Sequence, residues 1–548
     1  MRTRYELTVH LRTASPMHSG GVDAPVDRSR NADERMTEPR GFARDGHGDP
    51  VLTGRSVKGA LRAACEQQLR NGDAAGLARG DLRKLWGDQD HAAALTFHPI
   101  RLGQVAASGE PGPSTGPRPL GTRTGIAVDR YWGTAADTAL FAHEYLPAGV
   151  GLELTVTAQA GPPDDGSPDA GAAASPEQVE RLFRLILGLL KDGRVGFGGR
   201  RNAGWGRVEL DGDRAWNLTR SELGSREGLM AWLGGGQDIT DQFAPVGCGA
   251  GERVRISIEW RSPSGILVAE PRGAGDAGPA DAENTAPAEA DTADRGADPG
   301  GEETEPARPL RCGPGENDLL VLPGSSVRGA LRSRASRIAR TVLAARRGVR
   351  NWSETGVHDQ LADDPVLVRD LFGSTEHRGA LTVLDTLAAG PGPCRKVTHN
   401  AGDRWTGGVA EGALYSEEVH DVAWNSIELE LDPGMFPGGT GPDRHRAAWC
   451  LLGLTLAELA TGTLPLGSRG ARGMGQVTVT RLRVEGGRQI VGGPWDFTAS
   501  GPGDTESIAA RVLESLRTLA IGKNPDVADE DWTGWSTHLI EAEERTNG

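Results

Sequence analysis

Acidic side chains are concentrated in one stretch near the amino terminus. Residues 21–49 carry seven carboxylates. A carboxylate cluster can hold Mg²⁺ and help a ribose 2′-hydroxyl attack its own phosphate, so this pattern permits metal-dependent RNA cleavage. It also fits a polar loop without a ligand. The residues are Asp23, Asp27, Asp33, Glu34, Glu38, Asp45 and Asp49.

Basic residues follow a glycine turn at two places in the chain. In Gly54–Arg62, Ser56 is expected to cap a helix, and Lys58 and Arg62 fall four apart on one face of it. Free backbone N–H groups at a helix start attract phosphate. The alternative is a capped helix with a solvated basic face. The second copy offers Ser326, Arg328 and Arg332.

Two further arginine pairs lie in glycine-rich loops. Arg200 and Arg201 stand among the glycines of 198–206, and Arg469 and Arg472 stand in 467–475. Glycine allows the backbone to approach a ligand closely, and arginine supplies charge for phosphate. A tight turn between a helix and a strand explains the same pattern without a ligand.

An Asp-Arg pair beside aromatic residues also occurs twice. Asp129 precedes Arg130 and Trp132, and Asp403 precedes Arg404 and Trp405. The aspartates are expected to form a buried ion pair with the neighbouring arginine that shapes an inserted hairpin. The arginines and tryptophans are candidates for RNA contact through charge and stacking.

These motifs form an internal repeat. Three blocks recur in the same order, each roughly 270 residues after its first copy. Between Gly54–Arg62 and Gly324–Arg332, seven of nine positions are identical. Because order and spacing both repeat, the chain is predicted to contain two duplicated domains.

Each half has the same predicted order of elements. An alternating strand comes first, over residues 5–11 or 254–260, and a helix follows each first block. Further strands come next, then a helix over 176–191 or 443–460, then a last strand. This order predicts an α+β chain of two ferredoxin-like domains. The predicted divisions are 1–212, a connector 213–251, 252–485 with a low-complexity insertion 271–305, and an extension 486–548.

Composition limits the function classes. The net charge is −15, yet only five of the 60 basic residues are lysine, and arginine suits bidentate phosphate contacts. The five cysteines are scattered without a CxxC pair, which favours a reducing cytoplasm and suggests no zinc site. No apolar run is long enough for a membrane span, and the first residues lack a signal-peptide core.

The three blocks together resemble the RAMP superfamily of CRISPR-associated proteins, and above all the backbone subunit of type III effector complexes. The segment 17–21 resembles the family's His-Gly loop and contains His18, and 399–408 resembles its Asp-Arg segment and begins at His399. The second half has no counterpart of His18, and Thr53 stands where the family often has proline. The likeness covers about residues 1–212 and 252–485.

The resemblance implies that the chain grips a CRISPR guide RNA inside an effector complex with other subunits, in antiviral defence. It also implies that an acidic residue, here Asp33 or Glu38, could cut paired target RNA with Mg²⁺. The RNA-binding positions that motif and family together indicate are His18, Ser56, Lys58, Arg62, Arg130, Trp132, Arg200, Arg201, Ser326, Arg328, Arg332, His399, Arg404, Arg469 and Arg472.

Two other functions remain open at this stage. A guide-processing RAMP endoribonuclease would need a general acid–base site centred on histidine or lysine. A non-catalytic ferredoxin-like scaffold would bind no RNA.

Overall fold

The fold was determined from a computed structural model. It describes residues 2–20, 39–70, 75–89, 91–102, 120–129, 135–161, 174–212, 214–247, 253–270, 307–312, 319–347, 364–437, 441–499, 501, 505–519 and 534–547. We call the described residues up to 247 the first repeat and those from 253 onward the second repeat.

The first repeat contains eleven described strands and four described helices. The strands are β1 (Thr3–Thr13), β2 (Pro39–Arg40), β3 (Val51–Leu52), β4 (Leu95–Phe97), β5 (Ile100–Arg101), β6 (Gly121–Val128), β7 (Ala135–Tyr145), β8 (Gly151–Ala160), β9 (Val208–Leu210), β10 (Trp216–Glu222) and β11 (Gln237–Asp238). The helices are α1 (Gly54–Arg70), α2 (Arg79–Trp86), α3 (Pro176–Lys191) and α4 (Arg226–Leu233).

The second repeat contains ten described strands and six described helices. The strands are β12 (Val254–Arg261), β13 (Arg311–Cys312), β14 (Leu319–Leu322), β15 (Leu381–Val383), β16 (Thr386–Leu387), β17 (Cys394–Gly402), β18 (Val409–His420), β19 (Ile427–Leu431), β20 (Thr478–Glu485) and β21 (Trp495–Thr498). The helices are α5 (Gly324–Arg347), α6 (Val366–Phe372), α7 (Pro442–Ala460), α8 (Arg488–Val491), α9 (Thr505–Arg517) and α10 (Trp535–Asn547).

The main sheets of the two repeats have the same topology. In the first repeat the order is β11-β10-β1-β8-β4, with β9 also paired to β1, and in the second it is β15-β19-β12-β20-β21. The first strand of each repeat is central, and its neighbours in the main sheet run antiparallel to it. The predicted α+β class with tandem ferredoxin-like domains is confirmed.

Each sheet covers its own hydrophobic core on one face. The alternation that predicts β1 buries Tyr5, Leu7, Val9 and Leu11 completely, because every second side chain of a strand points to the same face. Helix α3 spans the predicted residues, and Ser175 caps its first turn. The two cores are separate clusters.

Two segments that were predicted to lie outside the repeats complete the sheets. In the segment 213–251, predicted to be a connector, β10 pairs with β1 from Val9 to Thr3. In the segment 486–548, predicted to be an extension, β21 pairs with β20, and α9 and α10 join the second core. Strand β10 contains few buried apolar side chains, and Leu218 is one of them. Its sequence therefore lacks the alternating apolar pattern of a half-buried strand.

Each repeat also carries a long β-hairpin outside its main sheet. Strands β6 and β7 form the first hairpin together with β2, and β17 and β18 form the second hairpin. The predicted insertion 271–305 lies outside the described residues. None of the helices in the described ranges combines the length and apolar character that a membrane crossing requires.

Candidate nucleic-acid interface

The glycine-rich loops have the same backbone conformation in both repeats. Arg200 has φ +56° and Arg469 has φ +63°, a left-handed conformation that residues with side chains rarely adopt. Each arginine precedes a single 3-10 turn, Arg201–Ala203 or Gly470–Arg472. The equivalent conformations show that the structural repeat extends to the positions of these two arginines.

In the first repeat, Arg200 is held among aromatic rings. Its Cζ atom lies 4.9 Å from the ring centre of Phe141 and 5.2 Å from that of Trp205, and its Nη1 is 3.4 Å from His143 Nδ1. Burial lowers the pKa of Arg200, and the charge of Arg123 lowers it further. Burial also lowers the pKa of His143 to about 4, so this imidazole is neutral at neutral pH.

In the second repeat, the equivalent arginine pairs with a carboxylate. Arg469 Nε lies 2.5 Å from Glu417 Oε1, and Glu417 is completely buried. His399 Nε2 lies 3.3 Å from Glu417 Oε2 without hydrogen-bond geometry. Arg472 donates to the hydroxyl of Tyr415, whose ring stacks on His399 at 5.2 Å. The structure therefore brings three predicted RNA-binding residues together: His399, Arg469 and Arg472.

The helix of the first block, Gly54–Arg62, begins earlier than predicted. Helix α1 begins at Gly54, and Thr53 Oγ1 accepts the Ser56 backbone N–H at 3.3 Å. Thr53, the residue that replaces the family's usual proline, therefore caps the helix, and Ser56 lies in its first turn with an exposed side chain. Lys58 is partly buried, which lowers its pKa, and Arg62 adds to this.

Three basic residues of the first blocks bind partners in their own repeat. Arg62 Nε contacts Glu66 Oε1 at 2.8 Å. Arg332 Nη2 lies 2.6 Å from Asp364 Oδ2, and Arg328 donates to the Phe372 carbonyl. Each of these contacts lies within one repeat, and contact of these arginines with RNA stays a prediction. Ser326 donates its backbone N–H to Pro323 O.

The tip of the second hairpin exposes a tryptophan. The Asp403 carboxylate accepts the backbone N–H groups of Trp405 and Thr406, both at 2.7 Å, and these bonds lower the pKa of Asp403. The predicted ion pair with Arg404 is therefore wrong, because the carboxylate stabilises the turn. Trp405 is 96% exposed. Arg130 and Trp132 of the first hairpin lie outside the described residues.

His18 is buried beside the first hairpin. Its Nδ1 lies 2.7 Å from the Glu144 carbonyl, and its ring packs edge-on against those of Phe42 and His143. Burial lowers the pKa of His18. His18 therefore packs against strand β7 of the first hairpin. The two predicted catalytic carboxylates, Asp33 and Glu38, lie outside the described residues.

Polar contacts join the two repeats along a seam. Arg123 Nη1 lies 2.5 Å from Asp385 Oδ2, and both side chains are nearly inaccessible to solvent. Asn202 Oδ1 accepts from Arg378 Nε at 2.5 Å. The glycine-rich loop of the first repeat therefore packs against the second repeat, whereas Arg472 in the equivalent loop of the second repeat is exposed.

A cavity of about 60 Å³ opens at this seam, and its lining is strongly basic. Both carboxylates are engaged, since Glu430 pairs with Arg207 at 2.5 Å and Asp432 pairs with Arg253 at 3.1 Å. Five arginines and two carboxylates leave a formal charge of +3. The charged lining residues are Arg194, Arg201, Arg207, Arg253, Arg378, Glu430 and Asp432.

Arg201 is the least compensated of these arginines. Its guanidinium makes no hydrogen bond or ion pair with any residue that the structure describes. Burial lowers the pKa of Arg201 and lowers that of Arg378 to about 10, and in each case neighbouring arginines add to the effect. Sequence reasoning predicted Arg201 but missed Arg253 and Arg378, which no local motif marks.

The two glycine-rich loops permit a matched test of the seam. Gly204 and Gly473 occupy equivalent positions with φ +78° and +83°. A Cβ on Gly204 would lie 2.8 Å from Leu384 Cα, whereas one on Gly473 would meet nothing within 4 Å. Both Gly→Ala changes impose left-handed strain of about 1–2 kcal/mol.

We expect Gly204→Ala to reduce the free energy of unfolding clearly more than Gly473→Ala, because it also pushes the repeats apart. Chemical denaturation followed by tryptophan fluorescence measures the difference. Equal losses for the two variants would mean that the repeats do not pack at this loop.

Comparison with known proteins places the chain in a family. One similar solved structure is a chain titled "Type IV-B CRISPR Complex", with 17% identity, a TM-score of 0.25, and coverage of 41% of this chain and 92% of that one. No curated protein matches. The RAMP superfamily model matches residues 10–209 and 308–478, one region in each repeat and more than half of the sequence. The chain belongs to the RAMP superfamily.

Proposed function

We propose that this chain binds CRISPR guide RNA as a backbone subunit of a type III-like effector complex. Membership in the RAMP superfamily supports a CRISPR-associated role. The proposal assigns the chain other effector subunits and target RNA as partners. It is a proposal of binding, and the predicted cleavage by Asp33 or Glu38 with Mg²⁺ is not needed for it.

The observation that carries the proposal is the basic cavity at the seam. Buried cations without counter-charges are costly, and a phosphate group would offset that cost through charge-assisted hydrogen bonds. Arg201 and Arg378 have room to donate to such an anion, since Arg378 is otherwise bonded to a neutral amide oxygen. The RNA backbone carries one phosphate per nucleotide and can supply such a group.

The second hairpin supplies a different type of contact. Arg404 and Trp405 are exposed at its tip, and an exposed indole can stack on a base of any sequence. Lys396 and Arg395 add positive charge along β17. A guide held by phosphate contacts at the seam and by stacking at a hairpin is bound without regard to its sequence.

The first experiment is isolation of the natural complex. The chain is purified with the products of neighbouring genes, and its nucleic acid is extracted and sequenced. Short RNAs of uniform length with a common repeat-derived end are the expected result. A particle that contains no RNA and does not bind added guide RNA would refute the proposal.

Binding measurements then test the seam cavity itself. We expect Arg201→Gln to weaken guide binding about equally for all RNA sequences and to reduce the slope of log Kd against log salt by about 1. Arg214→Gln is the matched control, because Arg214 is 90% exposed and does not line the cavity. If both variants bind guide RNA with equal affinity, the cavity is not part of the RNA interface.

A further inference from the structure

Three side chains with metal-binding atoms meet at the base of the second hairpin. Cys394, Glu418 and His420 each offer a ligand atom, and these atoms lie within 4.8 Å of one another. It is the one such group of three among the described residues, and it lies outside the seam cavity. Cysteine thiolate, carboxylate and imidazole are all ligands of Zn²⁺.

The register of the hairpin creates this group. Cys394 and His420 are direct partners in the antiparallel ladder, and Glu418 faces Lys396 two pairs further along. Side chains two residues apart on a strand share a face, and directly paired side chains are neighbours across it. All three ligands therefore lie on one face of the two-stranded sheet.

His420 is oriented as a ligand would be. Its Nε2 is buried and has no hydrogen-bond partner in the described part of the chain. A neutral imidazole nitrogen is a common metal ligand, so this unsatisfied atom is available to an ion.

The donor set indicates which ion fits. A thiolate disfavours Mg²⁺ and Ca²⁺, which prefer oxygen ligands, and favours Zn²⁺. Two anionic ligands balance the charge of the ion. Their negative charge also offsets the positive charges of the nearby Arg311 and Lys396. Three protein ligands leave the fourth tetrahedral position to water.

We propose that Cys394, Glu418 and His420 bind one Zn²⁺ ion that cross-links β17 and β18 at the base of the second hairpin. The ion joins residues 26 positions apart in sequence and ties the first residue of β17 to the last residues of β18. It therefore restrains the strands that carry the exposed Trp405. The site does not depend on the proposed RNA binding.

The test is the metal content of the full chain. The protein is prepared with Zn²⁺, dialysed against metal-free buffer and measured by mass spectrometry, and we expect about one zinc per chain. Cys394→Ser and His420→Gln should each weaken zinc binding by at least about 10-fold. His91→Gln is the matched control, because His91 is a partly exposed histidine of the first repeat that pairs with Asp88.

Cobalt provides a second readout that does not rely on stability. Co²⁺ bound through a thiolate gives a sulfur-to-metal charge-transfer band, which should appear in the unmodified chain and in His91→Gln but not in Cys394→Ser. Circular dichroism checks that each variant is folded. Absence of bound zinc and of the cobalt band in the unmodified chain, or undiminished zinc binding in both Cys394→Ser and His420→Gln, would overturn the proposal.

Discussion

Replacing Asp385 by asparagine is expected to lower the free energy of unfolding by about 3–5 kcal/mol. The Asp385 carboxylate binds a partner in each repeat. Its Oδ2 pairs with Arg123 of the first repeat, and its Oδ1 accepts the backbone N–H of Gly324 in the second repeat at 2.8 Å. Asparagine has nearly the same shape but no charge. The guanidinium of Arg123 would then remain buried at the seam without its counter-charge.

The size of this effect follows from burial. The side chains of Arg123 and Asp385 are 7% and 10% exposed, so water cannot replace the lost partner. The aromatic rings of Tyr145 and Trp205, 5.3 and 5.0 Å from the guanidinium carbon, compensate only in part.

The Asp496→Asn variant is the matched control for this prediction. Asp496 pairs with Arg481 at 2.7 Å, but half of its side chain is exposed. Water and salt screen such a pair, so the free energy of unfolding of Asp496→Asn should stay close to that of the unmodified chain. Urea denaturation compares the two variants, and equal effects would contradict a buried ion pair at the seam. The double change Arg123→Met with Asp385→Asn should recover part of the loss.

The second large effect is expected at the hairpin tip. Trp405→Ala should weaken guide RNA binding by about 1–3 kcal/mol, or roughly 5- to 150-fold, which is the usual loss when one base loses its stacking partner. The indole is almost completely exposed, so the substitution leaves the fold intact. Fluorescence anisotropy with a labelled guide measures the change.

Two further variants make this prediction specific. Trp405→Phe keeps an aromatic face and should retain most of the affinity. Trp232→Ala removes another exposed tryptophan, one that lies on α4 and contacts Arg4, and should leave the affinity unchanged. If Trp405→Ala binds guide RNA as tightly as the unmodified chain does, the second hairpin does not stack on the guide.

Much of the fold could be predicted from the sequence, because the signals are local. Alternating apolar residues predicted β1 and β12, and the apolar face of 176–191 predicted α3 with its ends. The repetition of three blocks predicted two domains of the same topology. The segment 213–251 was less readable, since β10 is defined by pairing with β1 and not by its own pattern.

The site was predicted only in part, because a motif does not reveal the partners of its side chains. Arg200, Arg201, Arg469 and Arg472 were predicted as one class of RNA-binding residue. In the structure, Arg469 is bonded to the buried Glu417, Arg200 lies among aromatic rings, and Arg201 has no such partner among the described residues. No local pattern distinguishes these environments.

The repeat, its α+β order and the arginines of its loops are evident in the sequence, since each depends on residues close together in the chain. Which charges meet depends on the packing of distant segments. Arg123 and Asp385 are separated by 262 residues, and Cys394 reaches His420 through the register of a hairpin. The seam cavity and the cysteine-glutamate-histidine group arise from packing and register, which depend on contacts between distant segments and leave no periodicity in either one.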